Sequence, residues 1–272
     1  VENLTGFVSA NEYGGSLDLD SSRVALFLPF YDQTVPRRFD ELTARLEWNR
    51  SRKEVLSVDV KKLSLRHNGM ELDVGGRYVK DLSDKTDRYG SVDAWAKIEN
   101  LALSDVGKYV PLQTPRSLKE WLSSAIKGGR VSEGAVQIKG NLAGFPYAGK
   151  GDEGLFTVRA RLVDGVLDYA PNTFSGNERR PLWPLIDHIQ GEFRMNGPLL
   201  AIHADTASTR QVGLKNVDVV IPDVLADDPV LDVKGDAHGA LQHFVGFVNA
   251  TPVAEWINHL TQATVASGNA GL

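Results

Sequence analysis

Cysteine is absent from this chain of 272 residues. Its absence excludes a disulfide framework, a thiolate zinc site and a cysteine nucleophile. Long apolar runs are missing too: the strongest candidate, residues 24–31, has the length of a strand and contains Pro29. No segment therefore has the roughly 20 apolar residues with which a helix crosses a bilayer. Basic charge does not predominate either, since the formal net charge is −5, and this argues against a nucleic-acid partner.

Familiar catalytic and ligand-binding patterns are also missing. The sequence contains no Gly-x-Ser-x-Gly motif, no P-loop and no dinucleotide-binding fingerprint. His238 and His243 lie five residues apart and have no partner at metal-binding spacing. Asp18 and Asp20 are interpreted as members of a solvated face rather than calcium ligands. We therefore predict no catalytic residue, no metal site and no cofactor.

Alternation of apolar and polar residues runs through most of the chain. It is clearest in residues 42–48, 56–60, 136–142, 156–162 and 189–195. Strict alternation is typical of antiparallel strands with one apolar and one polar face. Pairs with turn chemistry separate these stretches: Asn68-Gly69, Gly75-Gly76, Asp164-Gly165 and Asn196-Gly197. Together the patterns predict about fourteen strands.

Two stretches have helical spacing instead. Leu118, Trp121, Leu122 and Ala125 fall on one side of a predicted helix near residues 115–127, which Gly128-Gly129 would end. A second helical region is predicted near residues 241–262. We interpret the first helix as a cap over apolar sheet surface, and contact with a membrane or a partner is the alternative.

The two halves of the chain resemble each other. Residues 39–48 match residues 186–195 in their apolar-Asp start and their alternation, and Glu120-Trp121-Leu122 matches Glu255-Trp256-Ile257. Such repetition favours an elongated object built from similar units. We predict a first β-repeat unit over residues 1–127 and a second over residues 128–272, joined in one continuous sheet.

Four motifs follow one another between residues 115 and 186. They are Pro115-x-x-Leu118-x-x-Trp121-Leu122, Gly140-x-Leu142-x-x-Phe145-Pro146-Tyr147, Leu167-Asp168-Tyr169-Ala170-Pro171 and Trp183-Pro184-x-Ile186. In this order they resemble the YhdP-type, AsmA-like proteins of the Gram-negative envelope. The likeness is strongest over residues 109–197 and extends more weakly over the whole chain.

The resemblance implies a long, curled β-sheet in the periplasm, with an apolar open groove linked to phospholipid traffic to the outer membrane. It also implies an inner-membrane anchor in a segment outside this sequence. Because the chain begins at Val1 without an initiator methionine, we expect an internal fragment of a longer protein. The implied partners are a phospholipid or another acyl-chain lipid, the rest of the same chain, and envelope proteins of the inner and outer membranes.

The predicted fold class is therefore mainly β: an elongated, curled antiparallel sheet that forms an open groove, with short capping helices. The predicted lining consists of apolar members of the alternating stretches. These residues are Leu42, Ala44, Leu46, Trp48, Leu56, Val58, Val60, Val136, Ile138, Phe156, Val158, Ile189, Phe193, Met195, Val219, Leu231 and Val233.

Other interpretations of the same patterns stay open at this point. Apolar alternation also fits a β-sandwich core, an envelope scaffold whose interior is filled by its own side chains, or an enzyme accessory or carbohydrate-binding β-domain. Arg37-Arg38 and Arg179-Arg180 precede matching strands in the two halves. They are interpreted as solvated loop residues, with contact to lipid phosphates as the alternative.

Overall fold

A computed structural model of the chain describes the backbone of residues 1–28, 32–109, 116–149, 153–175 and 180–272. Within them, thirteen strands form one antiparallel sheet whose first and last strands do not pair with each other. The sheet is thus open rather than closed into a barrel. This confirms the predicted mainly β fold with few short helices.

The strands follow one another along the sheet in chain order. Their bounds are β1 (Gly6–Asn11), β2 (Gly14–Leu28), β3 (Asp32–Arg50), β4 (Val55–His67), β5 (Met70–Asp81), β6 (Ser91–Ala102), β7 (Ile126–Asn141), β8 (Gly154–Leu167), β9 (Phe174–Ser175), β10 (Arg180–Pro181), β11 (Ile186–Asn196), β12 (Leu199–Thr209), β13 (Val212–Ile221), β14 (Asp232–Ala240) and β15 (Asn269–Gly271). Only β9 and β10 stand apart, as a separate two-stranded sheet among the described residues. At about 4.8 Å per step, thirteen strands extend about 58 Å along the sheet.

The longer helical segments lie on one long edge of the sheet. A 3-10 helix (Leu103–Tyr109) and α1 (Arg116–Ala125) follow β6, while α2 (Leu241–Asn249) and α3 (Val253–Trp256) follow β14. Because successive strands alternate in direction, β6 and β14 end on the same edge, which is called the upper edge below. A shorter 3-10 helix (Leu142–Gly144) follows β7 on the opposite, lower edge.

The predicted helix near residues 115–127 is present but ends earlier than expected. Helix α1 stops at Ala125, and Ile126 already begins β7, so the prediction that Gly128-Gly129 ends the helix is wrong. Gly129 has a positive φ of 96° and lies within the strand. A Cβ there would be 2.6 Å from the Cα of Gly165, so the glycine permits close approach of two strands. Residue 115 lies outside the described residues.

A series of irregular residues bends the strands near the upper edge. Residues in left-handed conformation interrupt β2, β6, β7, β8, β11 and β13: they are Arg23, Asn100, Gly129, Asp164, His188 and Asn216. Register shifts accompany several of them. Bulges of this kind bend a strand and increase its twist. They give a physical reason for a sheet that curls instead of remaining flat.

Two of the predicted turns prove to be such irregularities. Asp164-Gly165 lies inside β8, and Gly75-Gly76 lies inside β5. Their glycines are needed for backbone approach and positive φ, as at Gly76 with φ of 150°, rather than for chain reversal. Asn68-Gly69 does join β4 to β5, and Asn196-Gly197 occupies the junction of β11 and β12.

The molecule exposes far more surface than a compact protein. Its accessible area is 17432 Å², whereas a compact globular protein of 29.7 kDa has about 11,600 Å². Among the residues that the structure describes, Val24 is the only larger side chain that is fully buried. A single sheet layer with a small core explains both observations, because over most of the sheet no second layer packs against either face.

Candidate functional site

One face of the sheet carries three nearly unbroken rows of apolar side chains. Residues directly opposite in an antiparallel pair point to the same face, so the register defines each row. The first row is Val8, Leu17, Leu46, Val60, Gly76, Ala94, Ile138 and Phe156. The second is Leu19, Ala44, Leu63, Val74, Ala96, Val136, Val158, Met195, Leu200 and Ile221. The third is Leu42, Leu65, Leu72, Ile98, Gly134, Ala160, Phe193, Ile202, Val219 and Val233.

Most residues of the predicted lining fall in these rows. Twelve do so: Leu42, Ala44, Leu46, Val60, Val136, Ile138, Phe156, Val158, Phe193, Met195, Val219 and Val233. Trp48 and Val58 pair one step closer to the lower edge, on the same face. Leu56 pairs there with Arg50 and Lys80, so polar chains end the apolar surface at that point.

Two predicted lining residues lie outside this group. Ile189 pairs with Gly165 above the irregular part of β8, near the upper edge. Leu231 precedes β14 and is 57% exposed. The structure therefore does not bring these two side chains together with the central rows.

Several members of the rows were not predicted from the sequence. Leu17, Leu19, Leu63, Leu72, Val74, Leu200 and Ile202 complete the rows between the predicted residues. The signal was available in the alternation of Leu72 and Val74 and of Leu200 and Ile202. What the sequence alone does not supply is the register, which decides that separate stretches form continuous rows.

One part of this face is filled by the protein itself. Val24, Phe39, Leu42, Leu65 and Met70 form a buried cluster, with Phe39 only 3% exposed. Leu101 and Tyr109, from the end of β6 and the 3-10 helix, pack against this cluster. Leu42 therefore offers no surface to a ligand, although it belongs to the third row.

Arg37 fixes the 3-10 helix above the buried cluster. Its Nη2 donates a hydrogen bond to the carbonyl oxygen of Lys108 at 2.8 Å, and its guanidinium lies 5.5 Å from the ring centroid of Tyr109. Burial raises the pKa of the Tyr109 hydroxyl, although Arg37 acts in the opposite direction. These contacts give Arg37 a packing role. Arg179, from the matching arginine pair in the second half of the chain, lies outside the described residues.

The rest of the face is not filled in this way. From β7 to β13, every member of the three rows is half-buried, so each keeps contact with solvent. Phe156, Val158 and Met195 lie in the middle of this stretch, which is called the uncovered stretch below. The stretch is three rows wide on β7 and β8 and two rows wide from β11 to β13, and within these rows the apolar surface has no polar interruption.

Aromatic side chains border the lower edge of the uncovered stretch. Phe145 contacts Phe156 edge-on with ring centroids 4.9 Å apart, and Tyr147 is 6.2 Å from Phe145. The Tyr147 ring lies over Gly154, where a Cβ would come within 2.1 Å of it. Burial raises the pKa of the Tyr147 hydroxyl, which has no hydrogen-bond partner among the described residues.

The opposite face of the sheet carries a row of ionisable side chains that runs from β3 to β14. Directly behind the third apolar row lie Glu41, Arg66, Glu71, Glu99, Glu133, Arg161, Glu192, His203, Asp218 and Lys234. Cross-strand pairs such as Arg66 with Glu41, 3.2 Å apart, stabilise it weakly because both partners are exposed. A hydrogen bond from Arg194 lowers the pKa of Glu192. The sheet thus separates a charged face from an apolar one.

Near the upper edge, the described histidines make local contacts with a carboxylate or a backbone carbonyl. His188 Nδ1 lies 2.9 Å from Asp164 Oδ1, and this contact together with Asp187 raises the pKa of His188. His243 contacts the carbonyl oxygen of Gln211 at 3.2 Å. Among the described residues, no group of three His, Asp or Glu side chains could hold a metal ion. In the same part of the chain, no helix is both long and apolar enough to cross a membrane.

Comparisons with known proteins agree with the sequence resemblance. A family model described as YhdP protein matches residues 1–272, which is the whole chain. No curated protein and no solved structure matches it.

Proposed function

The chain belongs to the YhdP protein family, and from this premise we propose that it is one section of a lipid-transfer bridge. Family membership suggests an AsmA-like lipid-transport role in the cell envelope. In our proposal, phospholipid acyl chains lie on the three apolar rows while the headgroup remains in water. The single observation that carries the proposal is the uncovered stretch, where the rows continue without being filled.

The energetics favour such a surface for moving lipids. Each CH₂ group exposed to water costs about 0.8 kcal/mol, so two ordinary acyl chains face a barrier of roughly 20 kcal/mol or more. Leu, Ile, Val, Phe and Met side chains in register remove much of that cost. Apolar contact has no preferred direction, so a chain can slide from one strand to the next without a tight site that would retain it.

The wider arrangement is part of the same proposal. We place this section in the periplasm, held to the inner membrane through another part of a longer protein, with envelope proteins at either membrane as partners. The charged row on the opposite face supports an aqueous surrounding, because ten ionisable side chains in register would be costly to bury. We propose no catalytic step.

A filled envelope scaffold is the second candidate function. The buried cluster around Phe39 favours it, because there the apolar face is sealed by the protein's own side chains. In that case the uncovered stretch would serve only as a surface for a protein partner. Lipid analysis of the purified chain separates the two, since a scaffold retains no acyl-chain lipid.

Substitution on the apolar face gives a direct test. We expect Val58→Asp with Phe193→Asp to abolish uptake of a fluorescent fatty acid, because each carboxylate would lose hydration beneath a bound chain. Thr43→Asp with Gln137→Asp adds the same charge on the polar face and is the matched control. Fluorescence titration measures uptake, and circular dichroism reports whether the sheet is retained. Unchanged uptake in a folded Val58/Phe193 variant would exclude the assigned surface.

A further inference from the structure

Two cationic side chains lie at the lower margin of the apolar face. Leu56 of β4 pairs directly with Arg50 of β3 and with Lys80 of β5. Because Leu56 is two residues from Val58, this row points to the apolar face. One step further from the lower edge, the face is already apolar at Val58, so charge and hydrocarbon meet here in adjacent rows. Arg50 and Lys80 are called the basic pair below.

The order of the strands places the basic pair within reach of a single ligand group. Strands β3 and β5 flank β4 on either side, so their backbones are about 9.6 Å apart at about 4.8 Å per strand. Arginine and lysine carry their charge at the end of a long stem, so both can reach a group that lies above Leu56. A guanidinium fork and an ammonium with three N–H donors are the groups with which proteins bind phosphate.

The ammonium group of Lys80 has only a neutral partner within the described part of the chain. Its Nζ donates a hydrogen bond to the carbonyl oxygen of Arg88 at 2.8 Å, and no carboxylate there forms a salt bridge with it. Arg50 does pair with Glu54, but both side chains are about half exposed, and such a pair is weak. An anion at this margin would therefore supply the charge that Lys80 lacks and would compete only with an exposed carboxylate for Arg50.

The aspartates close to the basic pair are engaged in the loop after β5. Asp81, Asp84 and Asp87 each accept a backbone N–H of that loop, at 2.8 to 2.9 Å. Residues 50–54 and 80–90 together contain six Lys or Arg and four Asp or Glu, which leaves a formal charge of +2 in a chain whose net charge is −5. This margin therefore attracts anions although the chain as a whole is acidic.

We propose that the basic pair binds the phosphate of an anionic lipid headgroup while the acyl chains lie on the apolar rows. This inference rests on the proposed function and adds the class of headgroup to it. The first row leads from Val60 on β4 to Phe156 on β8, a distance of about 19 Å at about 4.8 Å per strand. One acyl chain spans about half of the roughly 30 Å hydrocarbon core of a bilayer, so the row is long enough to hold it.

A comparison of two lipids with identical acyl chains tests the basic pair. Wild-type protein should bind pyrene-labelled phosphatidic acid roughly tenfold more tightly than pyrene-labelled diacylglycerol, because the phosphate gains charge-assisted hydrogen bonds. Arg50→Gln with Lys80→Gln should weaken binding of phosphatidic acid alone and bring the two dissociation constants together. Fluorescence titration from neutral detergent micelles measures both constants. Equal affinity of wild type for the two lipids would overturn the basic pair and leave the proposed function standing, whereas binding of neither lipid would overturn both.

A matched variant removes the same charges from the other face. Arg45 and Lys61 both form salt bridges with Glu47, so Arg45→Gln with Lys61→Gln changes the net charge equally but leaves the apolar face untouched. This variant should keep the preference for phosphatidic acid. If it loses the preference to the same extent, long-range attraction explains the effect and the site is wrong.

A conservative substitution separates ligand binding from a structural role of Lys80. Lys80→Arg preserves the charge and should keep the preference for phosphatidic acid, whereas Lys80→Gln should lose part of it. Circular dichroism reports whether both variants retain the sheet. Equal loss of the preference in the two variants would mean that Lys80 acts only through its contact with Arg88, which would contradict the proposal.

Inorganic phosphate distinguishes a headgroup site from a site for the free ion. At constant ionic strength, about 10 mM inorganic phosphate should change the dissociation constant of phosphatidic acid by less than about twofold, because the acyl chains supply most of the affinity. Displacement of phosphatidic acid at this concentration would instead identify a site for the free ion and rule out the headgroup assignment.

Discussion

The buried cluster and the uncovered stretch are two regions of the same apolar face that differ in how far their side chains are buried. Both come from alternating strands, and Leu42 and Phe193 even occupy the same register row. In the first region the 3-10 helix after β6 lies over the strands, and Phe39 is 3% exposed. In the second, the side chains from β7 to β13 keep contact with solvent. In the first region, side chains of β2 to β5 pack against one another and against Tyr109 of the 3-10 helix, and this packing fills the apolar face.

This contrast shows what apolar alternation can and cannot indicate. Alternation determines which face of a strand avoids water. Whether that face is then filled or left available depends on what the connections bring over it. A scaffold and a lipid-binding surface can therefore coexist on one sheet, and each should respond differently to the same chemical change.

The largest expected difference concerns stability. We expect Phe39→Ala to lower the free energy of unfolding by about 3–5 kcal/mol, because it leaves a cavity in a packed cluster. Phe156→Ala should lower it by about 1 kcal/mol, since the ring already contacts water and leaves no enclosed cavity. Urea unfolding followed by circular dichroism measures both. Equal losses would show that the two regions are packed alike.

The two methionines report on the same contrast without substitution. Met70 lies in the buried cluster at 5% exposure, whereas Met195 is in the middle of the uncovered stretch. Hydrogen peroxide should convert Met195 to the sulfoxide several-fold faster than Met70, because oxidation follows exposure. Peptide mass spectrometry measures each rate. Added fatty acid should slow oxidation of Met195 alone; protection of neither residue would count against lipid on these rows.

Alkaline pH provides a test at the upper edge. Burial, together with Asp168, raises the pKa of Tyr169 to about 12. The neutral phenol is therefore favoured in the folded chain, so its contribution to stability is complete below pH of about 10 and is lost as the pH rises through about 12. Ultraviolet difference titration of wild type and Tyr169→Phe should isolate this late ionisation. A Tyr169 signal near pH 10 would mean that the ring is solvated and separated from the ring of Trp183, which lies 5.9 Å away in the structure.

The smallest effect is expected on the charged face, which neither region of the apolar face should influence. Glu71, Glu99 and Glu133 lie side by side in register, and like charges directly opposite are unfavourable. Glu99→Lys should therefore raise the free energy of unfolding by about 0.2–1 kcal/mol for each new pair. Glu41→Lys, which removes one of the two carboxylate partners of Arg66, is the control of opposite sign. A gain that disappears in high salt would confirm its electrostatic origin.

Much of this fold could be predicted from the sequence, because the relevant signals are local. The alternation in residues 42–48 and 189–195 led to strands that exist, and the spacing of Trp121 and Ala125 led to a helix that exists. Twelve residues of the predicted lining lie in the three rows. Strand alternation and helical spacing both depend on residues within one element, so the sequence is sufficient to predict that such an element exists.

The errors concern glycine and contacts between distant parts of the chain. Gly129 and the Asp164-Gly165 pair resemble helix ends and turns, yet they allow strands to bend and approach. A single sequence does not distinguish these uses, because both require the same backbone freedom. The burial of Leu42 also escaped prediction, since Phe39 and Tyr109 reach it only after the sheet has formed.

The serial order of the strands has a consequence for how this molecule is made. Each strand of the thirteen-stranded sheet pairs with the sheet strands that come before and after it along the chain, so no strand must wait for a distant partner. Short loop closures give fast assembly, and the chain can add one strand after another as it is delivered from its amino end. Such stepwise growth leaves few apolar strands unpaired at any moment, and this limits aggregation of the chain during folding.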